Sequence, residues 1–415
     1  MPAAVAVKRP DPALVVVLAG ISAALHIGKL PPALPVLRDS LQLSLVEAGF
    51  LLSLVQVAGM TLGLAMGAAA DAIGARRTMV LGLVLLSIAS FAGGTATTAQ
   101  ALLVLRALEG VGFLLASLPA PGLIRRLVPP ARLPGMLGLW GAYMPFGTAA
   151  ALLLGPAFIA ASGWPGWWWL LGTLSCAMAA ALWWLVPADA DHRVAGAAAS
   201  LRGRIARTVR SPGPWLASAA FAMYSAQWLA VVGFLPTIYG QAGLPTTFSA
   251  VATALAAAVN MIGNIGSGRL LQRGWRPSVL LQCGFAAMLA GAIVAFAPWA
   301  SGASDGLAIV RYAGVLLFSA VGGLVPGTLF SVAVRVAPDE GSVSTTVGWM
   351  QQWSAFGQFI GPPLAAWAAA KAGGWHALWW ITGAFALAGM GIAVAIARFL
   401  AVHSGQRSAA PQGAS

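Results

Sequence analysis

The sequence predicts an all-α membrane protein of twelve transmembrane helices, arranged as two pseudo-symmetric six-helix bundles. Three observations predict it: the chain is too apolar for a soluble domain, its apolar runs have the length of membrane spans, and its second half repeats landmarks of its first.

Of 415 residues, 59% are apolar and only 8% charged, and the mean hydropathy is +0.85. A soluble domain is about 25% charged, so the bilayer is the expected solvent. A helix needs about 20 mostly apolar residues to cross the hydrocarbon. Runs of that kind, bounded by Gly, Pro or charge, lie near 13–35, 46–69, 77–96, 99–124, 134–161 and 166–187, and again near 214–238, 247–268, 278–299, 307–333, 344–370 and 374–399. Lys8 and Arg9 precede the first run without a small-residue cleavage site after it, so a retained first helix is expected.

The formal net charge is +13, which in a soluble chain would suggest nucleic acid. Here the basic residues collect in alternate connections: Lys8 and Arg9, Arg76 and Arg77, Arg125, Arg126 and Arg132, Arg193 to Arg210, Arg269 to Arg276, Arg335, then Arg398 and Arg407. The opposite connections hold only Arg38 and Lys371. That bias is the positive-inside pattern, so both termini are expected in the cytoplasm of a bacterial inner membrane, and no nucleic-acid partner is expected. Cys176 and Cys283 fall inside apolar runs, so neither a disulfide nor a metal site is indicated, and no cofactor is implied.

Residues 188–213 form the longest polar stretch, and we read them as a cytoplasmic linker between an N-terminal bundle (1–187) and a C-terminal bundle (214–400), followed by a tail (401–415). Leu201, Ile205 and Val209 recur every four residues among arginines. That spacing suits either a helix lying on an anionic leaflet or a disordered basic tether. The halves repeat each other at an offset near 205: Leu102 to Arg106 matches Leu307 to Arg311, Pro121-Gly122 matches Pro326-Gly327, and Gly155-Pro156 matches Gly361-Pro362. Duplicated bundles of this kind hold a solute between the repeats near mid-membrane.

Between the second and third runs stand Gly67, Asp71, Gly74, Arg76 and Arg77 in order. Gly67 permits close helix packing, Gly74 a turn at positive φ, and Asp71 can accept hydrogen bonds from a helix N-terminus or an arginine. This loop resembles the signature of the major facilitator superfamily, and the resemblance covers essentially the whole chain. Arg106 to Gly112 is similar to that family's fourth-helix motif, and Gly147 through Gly155-Pro156 to its glycine-proline motif. Met136 to Trp140 and Phe234 to Tyr239 resemble the cyanate and nitroimidazole permease-like branch. The resemblance implies the major facilitator fold, a small-molecule substrate, alternating access with gating at Gly67, Asp71, Gly74, Arg76 and Arg77, and a monomer. The repeat copy of the loop, Gly266 to Arg276, lacks the acid.

An ionisable group at the bilayer centre costs about 2.5 to 3.5 kcal/mol on insertion scales, so those present are expected to face the interior and to serve function. His26 and Lys29 lie three apart, as do Arg106 and Glu109, so each pair shares a helix face. Arg311 is the repeat-mate of Arg106. Three cations against one carboxylate predict a positive cavity and an anionic or carboxylate-bearing solute, bound by Lys29, Arg106 and Arg311. The opposing reading is an internal pair of Arg106 with Glu109 and a Lys29 that reaches to the surface. Glu109 and His26 are the candidates for coupling to protons. Tyr143, Tyr224, Gln227 and Gln351 are expected to contact solute, Asn260, Asn264 and Gln352 to add polar lining, and Trp140, Trp228 and Trp349 to wall the cavity. A proton-driven exporter of drugs or metabolites is the rival within transport and predicts a mainly aromatic cavity. An enzyme lacks support, because no nucleophile, base and acid set and no phosphate loop is present.

Overall fold

A computed structural model describes residues 11–63, 74–129, 142–189, 197–298, 305–339 and 342–409, with positions 132, 136, 139 and 140 between them. Gly67 and Asp71 lie outside the described residues.

Ten stretches among the described residues are long and apolar enough to cross a membrane. We label them in chain order: α1 Pro12–Leu41, α2 Leu45–Gly63, α3 Ala75–Gly93 and α4 Ala99–Leu127. Tyr143–Leu185 is a single stretch of 43 residues broken at Gly163, where φ is 72°. The break divides it into two spans, α5 before the glycine and α6 after it. The second half supplies α7 Pro212–Gln241, α8 Thr246–Gln272, α9 Pro277–Phe296, α10 Gly306–Val336 and α12 Trp375–Val402. The twelfth span, α11 Val343–Ala372, is the right length at 30 residues. Gln351, Gln352, Gln358 and its two prolines make it less apolar than its neighbours. A linker helix, Ala197–Arg210, joins the halves.

Local chemistry explains the starts and breaks. Asp11 caps α1, accepting from the Ala13 N–H at 3.0 Å, and Ser44 with Glu47 forms a reciprocal capping box at the start of α2. The helix of α1 is interrupted at Lys29, just before Pro31, Pro32 and Pro35, which lack the N–H groups a continuous ladder needs. α2 tightens to a 3₁₀ turn at Leu54–Gln56. Gly74, at φ 101°, starts α3.

Packing repeats with a period of six spans. The pairs α1 with α5, α3 with α4 and α3 with α6 recur as α7 with α11, α9 with α10 and α9 with α12. The contacts between halves obey the same rule, since α2 meets α11 and α5 meets α8. Glycine permits the closest approaches: a Cβ at Gly361 would run into the backbone of Ala226, and one at Gly110 into the carbonyl of Val55.

The halves meet along the side away from the arginines. Gly49 of α2 lies against the backbone of Pro362 and Pro363 in α11, Phe50 and Phe359 sit with ring centroids 6.3 Å apart, and Gln56 Nε2 donates to Gln358 Oε1 at 3.0 Å. One apolar cluster spans this seal, joining Leu34, Leu51 and Leu52 to Phe234 and Ala366.

Gly361→Val is expected to destabilise the protein by about 1 to 3 kcal/mol through overpacking of α7 against α11. Gly391→Ala, which enters open space, is expected to stay within about 0.5 kcal/mol of the parent. Thermal unfolding of the detergent-purified variants checks the difference; equal melting temperatures would remove the close approach from the account.

Candidate functional site

A cavity of about 980 Å³ lies between the halves and opens on the arginine-bearing side. α1, α2, α4 and α5 line one wall with Gln56, Phe113, Ser117, Tyr143 and Thr148; α7, α8, α10 and α11 line the other with Tyr224, Trp228, Asn260, Phe330 and Gln351. Among the described residues, the charged ones that touch the cavity are Arg126 at the end of α4, Asp189 after α6 and Arg204 on the linker helix, all at its mouth. The inner lining is made of amides, hydroxyls, aromatic rings and aliphatic groups.

Three of the expected solute contacts, Tyr143, Tyr224 and Gln351, line this cavity, as do Asn260, Asn264, Gln352, Trp140 and Trp228. Tyr143 stacks on Trp140 with centroids 4.1 Å apart. Tyr224 belongs to a neutral network: its hydroxyl donates to Asn260 Oδ1 (3.1 Å) and accepts from Asn260 Nδ2 (2.9 Å). Asn264 Nδ2 donates to Asn260 Oδ1 (2.9 Å), and Asn260 Nδ2 donates to the Ser319 carbonyl (2.8 Å). Gln227 is not at the cavity; it is buried, and its Nε2 donates to the Met223 carbonyl at 3.0 Å. Trp349 also lies off the cavity, in an aromatic group with Trp215 and Trp353.

The intramembrane charges sit elsewhere. His26, Lys29, Arg106 and Glu109 are all at most 2% exposed, and none lines the cavity. They form one cluster inside the first bundle. Glu109 Oε1 pairs with the Lys29 ammonium, and Glu109 Oε2 accepts from Arg106 Nη1 at 2.7 Å. Arg106 Nη1 also donates to the His26 carbonyl (2.6 Å), and Nε to the Leu51 carbonyl (3.2 Å). Those acceptors lie at the break of α1 and just before the 3₁₀ turn of α2, where the helical ladder leaves carbonyls available. Lys29 Nζ further donates to Ser90 Oγ at 3.0 Å and reaches His26 Nδ1 at 3.4 Å, and it lies 4.4 Å from the Trp168 ring centroid. His26 Nε2 is 2.8 Å from Ser175 Oγ.

The expected positive cavity therefore loses two of its three cations, because Lys29 and Arg106 turn toward Glu109 and away from the cavity. The third, Arg311, donates to the carbonyls of Ala295 (3.0 Å) and Ala297 (3.4 Å) at the end of α9 and also lies off the cavity. Three-residue spacing on one helix revealed the Arg106 and Glu109 pair. The contribution of Lys29 from another helix had no signal in the sequence beyond its charge.

Of the gating residues, Gly74 touches the mouth, while the Arg76 side chain lies against Trp183 at the end of α6 and Arg77 is exposed. Their N–H groups donate to the Asp189 carboxylate, both at 3.1 Å, Arg126 Nη2 adds a third donor at 2.8 Å, and the Arg76 side chain bonds the Trp183 carbonyl. Partial burial pushes the Asp189 carboxyl up, but these donors outweigh it and hold it below its ordinary value. The role of Asp189 was not visible in the sequence, because it sits 113 residues from the helix start it caps.

A family model described as the Major Facilitator Superfamily matches residues 13–356. The tetracenomycin C resistance and export protein of Streptomyces glaucescens is 28% identical over 157 residues, 38% of this chain and 29% of that protein's length. Among solved structures, a bacterial homolog of the human lysosomal transporter Spinster, inward-facing and occupied, superposes with a TM-score of 0.71 at 17% identity, covering 94% of this chain and 96% of that one. A D-xylose-proton symporter gives a TM-score of 0.70 at 17% identity, covering 92% and 96%. Likeness at such identities is likeness of fold, and it agrees with the twelve spans, the six-span repeat and the cavity between the halves. With the family match running from the start of α1 into α11, the chain belongs to the Major Facilitator Superfamily, and it is a multi-pass membrane transporter and not an enzyme.

Proposed function

We propose that this transporter exports a small uncharged organic solute, with an aromatic or apolar body and hydrogen-bonding groups, from the cytoplasm by proton-coupled alternating access. The observation that carries the reading is the composition of the inner cavity: among the described residues it is lined by amides, hydroxyls and aromatic rings, with charge only at the mouth. Such a lining solvates polar but uncharged groups and stacks on flat ones. A buried anion would need a cation to offset its desolvation. Lys29 and Arg106 are held by Glu109, which weighs against the anionic class expected from the sequence.

The positive-inside bias identifies the open side as cytoplasmic, with both termini there. The protein then faces inward, and rocking of the halves would break the Gln56 to Gln358 bond and the Gly49 contact while closing the mouth beside Gly74; gating by Gly67, Asp71, Gly74, Arg76 and Arg77 is part of this proposal. Export is supported by the name of the Streptomyces relative. Coupling is assigned to the buried cluster that holds both Glu109 and His26, beside cavity residues Ile27 and Gly110.

Reconstituted protein is expected to exchange uncharged aromatic dyes such as N-phenylnaphthylamine across liposomes. Small carboxylates are expected to leave its melting temperature unchanged; stabilisation by carboxylates without dye exchange would return the solute class to anions. Tyr224→Phe and Gln351→Ala should each weaken dye affinity roughly three- to tenfold, the effect of one lost hydrogen bond, while Arg311→Ala should not. In a Cys176→Ser, Cys283→Ser background, Gln351→Cys should react with an impermeant maleimide in inside-out vesicles far faster than in right-side-out ones. The reverse ratio would contradict the inward-facing assignment.

A further inference from the structure

The buried cluster contains two fixed cations and one carboxylate, so it carries one net positive charge sealed from solvent. A group that can release a proton would remove that charge. Arg106 cannot, since a guanidinium stays protonated in proteins. Glu109 lies between Lys29 and Arg106, and protonating it would leave two buried cations with no counter-charge. With Lys29 as an ammonium, which only donates, His26 Nδ1 (3.4 Å from Lys29 Nζ) can accept from it in the tautomer that carries the ring hydrogen on Nε2, toward Ser175 Oγ at 2.8 Å. Protonating Nδ1 would set a second cation against the first.

Lys29 is the remaining group. The titratable side chains that face it are His26 from α1 and Arg106 and Glu109 from α4; α3 presents Ser90, and α6 presents Trp168 and Ser175. Ser90 Oγ donates to the Trp168 carbonyl at 2.8 Å, which leaves its lone pairs for Lys29. The ammonium thus has three acceptors for three hydrogens: Glu109, Ser90 and His26. The conformation described is the one that holds the proton.

A second observation bears on the state without that proton. Arg106 Nη2 is buried with no hydrogen-bond partner among the described residues, an idle donor beside a carboxylate already bound by Nη1 of the same guanidinium. We infer that Lys29 is the residue that gains and loses the coupling proton, and that on its loss Glu109 turns from bridging α1 and α4 to a bidentate pair with Arg106. The Nζ–H bond breaks, its electron pair stays on Nζ as a neutral amine, the proton passes to cavity water beyond Ile27 and Gly110, and the cluster becomes neutral. A guanidinium fork matches a carboxylate in two parallel bonds, so the idle donor is used in the deprotonated state, and α1 loses its charged link to α4 while keeping the Arg106 Nη1 bond to the His26 carbonyl.

This inference rests on the proton-coupled reading above, and two measurements keep them apart. In proteoliposomes loaded with N-phenylnaphthylamine, the ratio of dye flux with an imposed pH gradient to flux without one should fall to unity in both Lys29→Arg, which keeps the charge, and Lys29→Gln, which removes it. Wild-type stimulation in Lys29→Arg would overturn the inference, as would gradient-insensitive exchange by the wild type. If the wild type moves no dye at all, the reading of function fails, and the lysine is tested without dye. The chain has three lysines, Lys8, Lys29 and Lys371, so ¹⁵N-lysine NMR of the purified protein gives three Nζ signals, of which Lys29→Arg removes one. Exchange of that signal between ammonium and amine forms is expected; a Lys29 signal that keeps its ammonium shift at every pH where those of Lys8 and Lys371 do overturns the inference.

Discussion

An ionised side chain sealed inside a membrane protein must find its counter-charge there, and Glu109 is where this chain meets that requirement. Each of its oxygens takes a cation from a different place, Lys29 at the break in α1 and Arg106 one turn away on α4. The cations in turn engage carbonyls and hydroxyls that helix irregularities leave available. Arg106 holds the His26 and Leu51 carbonyls, and Lys29 holds Ser90. Four spans are thereby tied through one carboxylate, and Trp167 adds α6 by donating to the Lys29 carbonyl at 3.2 Å. Removing one partner of such a set leaves an uncompensated buried charge, which costs far more than the intact set contributes. The first bundle is therefore constrained to keep α1, α2, α3, α4 and α6 in register.

The second bundle reaches the same arrangement of helices with different chemistry. Where α1 and α4 meet through charge, the Tyr224 and Asn260 pair links α7 to α8, and the Ser319 carbonyl carries the link to α10. Trp228 Nε1 donates to Ser319 Oγ at 3.2 Å and adds a second tie between α7 and α10. Neutral interhelical bonds are worth about 0.6 kcal/mol each in a membrane setting, so the close glycine contacts must supply much of the cohesion; Gly263 against Gly323 and Gly361 against Ala226 are examples. A duplicated fold has thus become chemically unequal, with a buried charge cluster in the first half and a neutral hydrogen-bonded network in the second.

This inequality also explains what the sequence could and could not reveal. Span length, charge bias and the offset near 205 expose the fold, because each reports a property of whole helices against lipid. The face a residue presents is a different quantity. Spacing places Arg106 and Glu109 on one face of α4, but whether that face meets the cavity or the bundle interior depends on how α4 is rotated against α2. Gly110, packed on the Val55 carbonyl, sets that rotation. The same blindness placed Gln227 at the cavity and missed Gln56 and Gln358, whose partners lie 302 residues apart. Tyr143, Tyr224 and Gln351 line the cavity on helix faces that also carry Thr148, Ser225, Gln352 and Ser354.

The contrast between bundle interiors and the contact between bundles bears on motion. Within the first half, helices are bound by charge and by backbone approach. Between halves, the sealed side relies on one amide-to-amide hydrogen bond, the Phe50 and Phe359 contact and apolar packing around Leu51, Leu52, Phe234 and Ala366. Apolar contact is non-directional and amide bonds re-form readily, so this seam can open without leaving an unpaired charge. Had Lys29 or Arg106 faced the cavity, each rocking of the halves would have had to separate or desolvate an ion. Drawing the charges into one bundle keeps their ion pairs intact while this seam opens, so any bias that a proton exerts on the motion requires the cluster to bind it with different affinity in the two states.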